Sequence, residues 1–326
     1  MSTRVVTRKP AESFEPRWMI SAFQLLVLAL VATEAALAFS VYRNWIWLAV
    51  PLVLLASHFI HGLLIGFHEA SHGLLRKNRT FNEFDGIVIG TLSLTSFSLY
   101  RAAHQTHHAF LSTERDEELW PFVHPTSPRW LRILAAFLEL FVGLFFTPFL
   151  FLRTFFRSNS PIRNKRVRRR VWMEFGLMFV TWGAILAIVA WFHLWKYFLW
   201  MEFVPAFIAA NLQSWRKYIE HVGLIGSTAN GCTRSIITPS FAGRLLAYTL
   251  LHEPFHGVHH IHVGLPHDDL PKYADSLQPT QPDEMAPFPN YRSALMDLLR
   301  NLPDPRVGAQ WKTHTTASTP SAPGVV

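Results

Sequence analysis

The sequence has one cysteine, Cys232, among 326 residues. That excludes an intrachain disulfide and any zinc site built on cysteine thiolates. Charge is sparse too: Asp, Glu, Lys and Arg make up 16% of the chain, and acids are the rarer sign, 22 against 30 basic residues. Residues 44–67 carry no Asp, Glu, Lys or Arg at all. Such blocks lack both the alternation of a half-buried strand and the polar stripe of a surface helix. What is abundant is apolar: 50% hydrophobic residues, with Phe 27 and Trp 12. A bilayer span needs about 20 consecutive apolar residues, so the blocks predict an integral membrane protein. A secretory signal peptide does not fit. The apolar stretch after Trp18 is too long for an h-region and has no small-residue cleavage site. The net charge of +8 would suit nucleic acid, but the basic residues flank apolar blocks, which the positive-inside rule explains. No nucleic-acid partner is expected.

Residues 1–18 read as a basic cytoplasmic arm, 19–278 as a membrane domain, and 279–326 as a Pro-rich, partly disordered tail. Four spans are predicted, at about 19–40, 45–66, 171–192 and 197–215, forming two hairpins. The apolar stretch 87–100 is too short to cross and reads as an interfacial or re-entrant helix. The block 131–157 is long enough to span, but Pro148 interrupts it. Charge parity decides its treatment. Two hairpins leave only Arg43 and Lys196 outside, of 30 Lys and Arg. A single crossing by 131–157 would put the basic run Arg163, Lys165, Arg166, Arg168, Arg169, Arg170 outside. The block is therefore expected as a kinked interfacial hairpin, or as two short crossings. The fold class is all-α, with about four transmembrane helices beneath a cytoplasmic helical cap.

Histidine dominates the polar residues, 17 in all. Three clusters stand out: His68-Glu-Ala-Ser-His72, His104-Gln-Thr-His107-His108 and His256-Gly-Val-His259-His260. At this histidine frequency far less than one HxxHH is expected by chance, and there are two. On a helix, residues four apart share a face. Neighbouring histidines point about 100° apart, so one HxxHH box can serve two metals. Eight imidazoles are too many for one ion and suit two. His221 is the candidate ninth ligand, with His252 competing for that place. Glu69, Asp116, Glu220 and Asp268 lie near the clusters and are candidates for fixing imidazole tautomers, with surface ion pairs as the alternative. The stretch 68–72 also fits H-E-x-x-H, the pattern of zinc hydrolases in which the Glu is general base. That alternative uses one zinc and leaves both HxxHH boxes unexplained.

With the three boxes and paired spans in place, the chain resembles the membrane fatty-acid desaturase superfamily of histidine-box desaturases and hydroxylases. HEASHG at 68–73, YRAAHQTHHAFLSTERDEE at 100–118 and HGVHHIHVGLPHDDLP at 256–271 carry the likeness. KYIEHVG at 217–223 is similar to the Glu-His box of membrane alkane monooxygenases. The resemblance implies two ferrous ions held by His68, His72, His104, His107, His108, His256, His259 and His260, with His221 by the Glu-His box. It implies O2 as co-substrate, a lipid substrate, and a separate electron donor of ferredoxin, rubredoxin or cytochrome b5 type with its reductase. It implies desaturation of an acyl chain or related lipid. The alternative within the fold is a hydroxylase or ketolase acting on an alkane, sterol, carotenoid or acyl chain. His256, where front-end desaturases carry Gln, argues against that subclass. No His-Pro-Gly-Gly motif of a fused cytochrome b5 domain occurs. Phe59, Phe67, Phe203, Phe207 and Trp215 are candidates for lining a lipid path.

Overall fold

The computed structural model describes residues 21–312. The arm at 1–18 and the residues after Lys312 lie outside the described residues. Twelve α-helices follow in order, here numbered α1 to α12: Ala22–Tyr42, Ile46–His72, Arg79–Leu92, Phe97–Ala109, Arg129–Phe156, Lys165–Trp191, Trp195–Tyr197, Val204–His221, Ala229–Cys232, Phe241–Thr249, His256–Ile261 and Tyr291–Asn301. Among the described residues there is no strand, only an isolated bridge between Ile236 and Phe288.

α1 begins at a capping box. The Ser21 hydroxyl accepts from the Gln24 amide at 3.2 Å, and the Ser21 amide donates to the Gln24 side chain at 2.9 Å. α1 and α2 form the first hairpin, turned at Asn44, which adopts φ 55°. Gly66 fits against the Phe23 ring, where an added Cβ would lie 2.6 Å from a ring carbon. The second hairpin is α6 followed by a continuous helical run from Trp195 to His221, through a π-helical segment at Phe198–Phe203. Lys196 Nζ donates to the Val41 carbonyl at 2.7 Å and also meets Asn44. The two hairpin turns therefore lie together at one end of the bundle, as the two-hairpin arrangement requires.

Four helices are long and apolar enough to cross a membrane: α1, α2, α5 and α6. Three match expected spans. The expected span at 197–215 is not among them. The π segment divides it, and α8 ends in Arg216, Lys217 and Glu220. α5 takes its place by length and composition, but it is broken. Val142 has φ −133° and ψ 31°, and Pro148 follows. Each half rises about 20 Å at 1.5 Å per residue, short of the roughly 30 Å hydrocarbon core. Both halves also return to one loop. Leu140 packs with Leu119 and Phe122, while Thr154 and Arg157 contact Glu117. The kinked hairpin expected at 131–157 fits this geometry better than a straight crossing.

The stretch 87–100 is not one helix. α3 ends at Leu92, Leu94 turns at φ 58°, and Ser96 caps α4. Glu174 of α6 braces that start, accepting from the Ser96 hydroxyl at 2.6 Å and from the Ser98 amide at 2.9 Å and hydroxyl at 2.5 Å. Residues 279–312, expected as part of a tail, are folded. α12 buries Ala294 and Leu298, and the Trp311 indole donates to the Phe122 carbonyl at 2.7 Å.

Candidate metal centre

The first cluster ends α2, the second ends α4, the third is α11, and His221 ends α8. All four helix ends meet at the end of the bundle opposite the two hairpin turns. Nine imidazoles converge there in two nests. The first holds His68, His72, His104, His108 and His259, whose ligating nitrogens lie within 4.8 Å of one another. Successive Nε2 separations are 3.3 Å for His68–His72, 2.9 Å for His72–His104, 3.0 Å for His104–His108 and 3.1 Å for His108–His259. The second holds His107, His221 and His260 in one group, tied to His256 by Nε2 separations of 2.9 Å to His221 and 3.0 Å to His260.

The far side of several rings is anchored. Nδ1 of His104 pairs with Glu118 at 3.0 Å, that of His107 with Asp116 at 2.8 Å, and that of His256 with Glu253 at 3.1 Å. Nδ1 of His221 donates to the Cys232 carbonyl at 3.1 Å. A neutral imidazole has one N–H. In His221 and His256 that proton is committed at Nδ1, so both facing Nε2 atoms carry bare lone pairs 2.9 Å apart. Bare lone pairs at that distance repel unless a cation lies between them. Two nitrogens at right angles on one metal, each about 2.1 Å from it, sit roughly 3.0 Å apart. The residues present thus fit a pair of metal ions, and an imidazole-rich donor set suits iron, zinc, copper or nickel.

Burial keeps most of these imidazoles neutral, the form that can bind a metal. It holds His104, His221, His259 and His260 well below the ordinary imidazole range, with neighbouring imidazoles adding to the effect, and brings His256 down to about 4. His107 is the exception. Burial pulls it down, but the Asp116 carboxylate outweighs that and raises it. Burial alone would push the Glu253 carboxyl up. Arg216 and the His68 imidazole outweigh it and hold it well below the carboxylate range.

The predicted acids divide. Asp116 meets His107 and is fixed by the Ser112 amide at 2.9 Å. Glu220 lies 3.6 Å from His256 Nε2 and is gripped by Arg216. Glu69 is fully buried beside His68 and Glu253 and does not line the pocket under the nests. Asp268 meets His267 at 3.2 Å, not a box histidine. His252 sits outside both nests, against Tyr248 and Phe255. Sequence reasoning missed Glu118, Glu253 and Arg216. Glu253 stands three residues before His256, a spacing that shares a helical face, and that signal was available.

A pocket of about 60 Å³ under the nests is lined by His68, His104, His107, His221 and His256. It shares Tyr100, Thr147, Phe151 and Gln213 with a neighbouring cavity of about 380 Å³. That cavity runs between α1, α2, α3, α5 and α8 and is mostly apolar, with Arg76 and Glu202 among its few charged residues. Of the five aromatics proposed for a lipid path, Phe67 lines it; Phe59, Phe203, Phe207 and Trp215 do not.

A family model described as "Fatty acid desaturase" matches residues 45–291, most of the chain and all three boxes. The chain belongs to the fatty acid desaturase family. It is similar to an "sn-1 acyl-lipid omega-3 desaturase (ferredoxin)" of Synechocystis sp., 26% identical over 156 residues, 48% of this chain and 42% of the relative. It is also similar to a "Fatty acid desaturase" of Bacillus subtilis, 21% identical over 178 residues, 53% of this chain and 50% of the relative. The matched stretch thus spans about half the length or less of each of these family members.

Proposed function

We propose that this chain is a membrane-bound, di-iron, O2-dependent oxidoreductase that desaturates a fatty acyl chain or related lipid. The observation that carries the reading is the His221–His256 pair, two bare nitrogens 2.9 Å apart above an apolar cavity. A C–H bond with no activating neighbour is beyond acid–base chemistry, and bound iron with O2 supplies the oxidant. The protein's own residues do the rest. Leu63, Leu64, Phe67, Ile89 and Phe151 wrap the substrate chain and exclude water. Tyr100, Thr147, Phe151 and Gln213 form the neck that presents one segment of it to the nests. Tyr100 stacks on His104 with ring centroids 5.2 Å apart, so the neck and the first nest share a wall.

The electrons come from a separate donor; the Synechocystis relative's name specifies ferredoxin. This reading puts the nests and both described chain ends on the cytoplasmic side; the basic start of α6 at their end of the bundle supports it. Expression in a lipid-rich host, with lipid profiling and iron analysis, tests the reading. The expected result is about two irons per chain and an oxygen-dependent loss of a hydrogen pair from a host lipid. Gain of an oxygen atom instead would assign a hydroxylase. Zinc without iron, with no lipid change, would overturn the proposal.

A further inference from the structure

One side chain serves both nests. Glu253 is 1% exposed. Its Oε1 accepts from His256 of the second nest at 3.1 Å, and its Oε2 lies 3.3 Å from Nδ1 of His68 of the first. Arg216 closes on Oε1 from a third side and also grips Glu220 at 2.7 and 2.8 Å. The other acceptors each serve one nest: Glu118 meets His104 of the first, and Asp116 meets His107 of the second. The backbone is bent to make this contact. Leu251 and His252, just before Glu253, both adopt left-handed conformations, φ 49° and 55°. That region is costly for a branched side chain such as leucine. Leu251 is fully buried in the core between α1, α2 and α10, and the His252 amide bonds back to the Ala247 carbonyl at 2.7 Å. Packing thus holds a turn that throws Glu253 inward ahead of the third box.

We infer that Glu253 is a positioning residue that joins the two nests into one centre. Its carboxylate hydrogen-bonds His256 of the second nest and stands at ion-pair distance from Nδ1 of His68 in the first, and Arg216 fixes the carboxylate. The inference rests on the two-metal reading above and adds a coupling between the sites. An acceptor behind a single ligand affects one metal; Glu253 affects both.

Full-length protein in detergent, stripped by chelator and titrated with Co2+ alone, tests this through binding stoichiometry and the Co2+ absorption bands. Wild type takes two ions. Glu118→Gln and Asp116→Asn each weaken one site and leave the other. Glu253→Gln weakens both, by about 10- to 100-fold each, the usual cost of losing a ligand's outer partner, here a hydrogen bond to His256 and a facing carboxylate charge at His68. Both Co2+ spectra shift, and the apo-protein melts as wild type does. Wild-type affinity at either site in Glu253→Gln overturns the inference. Should that variant fail to fold, Glu253→Asp carries the test. Its carboxylate, one methylene shorter, cannot reach both rings, so unchanged affinity at both sites is equally fatal. Wild type that takes fewer than two ions would instead sink the two-metal reading itself.

Discussion

The second and third histidine boxes have the same pattern and opposite destinations. In box two, His104 and His108 face the first nest while His107 crosses to the second. In box three, His256 and His260 face the second nest while His259 crosses to the first. Helix geometry explains the division. Positions i and i+4 lie about 40° apart and i+3 points off to one side, so each box contributes a pair and a single. Packing explains the exchange. α4 starts against Glu174 of α6, whereas α11 follows the Glu253 turn. A box is therefore not the address of one nest. The two boxes interlock, and with the α2 pair and His221 they give five imidazoles to one nest and four to the other.

The sharpest way to break this comparison is to remove the singles and the pairs. His107→Ala should cost the second-nest ion and His104→Ala the first, each with activity below detection; metal analysis and lipid profiling read both. Loss of the same ion from both variants would refute the exchange. A smaller effect separates the anchors. Asp116→Asn and Glu118→Gln should each weaken their own site about 10- to 100-fold, with opposite site assignments in Co2+ titration. Smaller still is the brace that box two has at Glu174. Glu174→Gln should lower stability by about 1–3 kcal/mol, the usual cost of stranding buried donors, read as a lower melting temperature with both ions retained. An unchanged melting temperature would show that the brace contributes nothing to positioning box two.

The convergence of the histidines was legible because imidazoles that meet at one point leave a strict local spacing. Two imidazoles of one helix reach the same nest only from one helical face, and that leaves an HxxxH or HxxHH trace. His221 has no such trace; its place just past the expected fourth span, and the likeness of KYIEHVG to another box, pointed to it. Glu118 and Glu253 were harder. A carboxylate behind an imidazole need only reach one Nδ1: loop 112–127 brings Glu118 there through packing that no short pattern records, while Glu253 left only its three-residue spacing to His256. His252 held the favourable spacing to His256 and still lost, because its left-handed backbone turns it toward Tyr248. In the fold, hydropathy placed three of the four long apolar helices. The expected span 197–215 lies within the continuous helical run from Trp195 to His221, interrupted only by a π segment and followed by the charged residues Arg216, Lys217 and Glu220.

Residues 303–312 bear on the handling of this protein. The Gln310 amide donates to the Ser112 carbonyl at 3.1 Å, and the Ser112 amide holds Asp116 behind His107. Val307 bonds the Phe122 carbonyl at 3.1 Å, and Arg132 lies over the Trp311 ring. A truncation or affinity tag placed before residue 312 would pull at this strap and be misread as iron deficiency, though every histidine stayed intact.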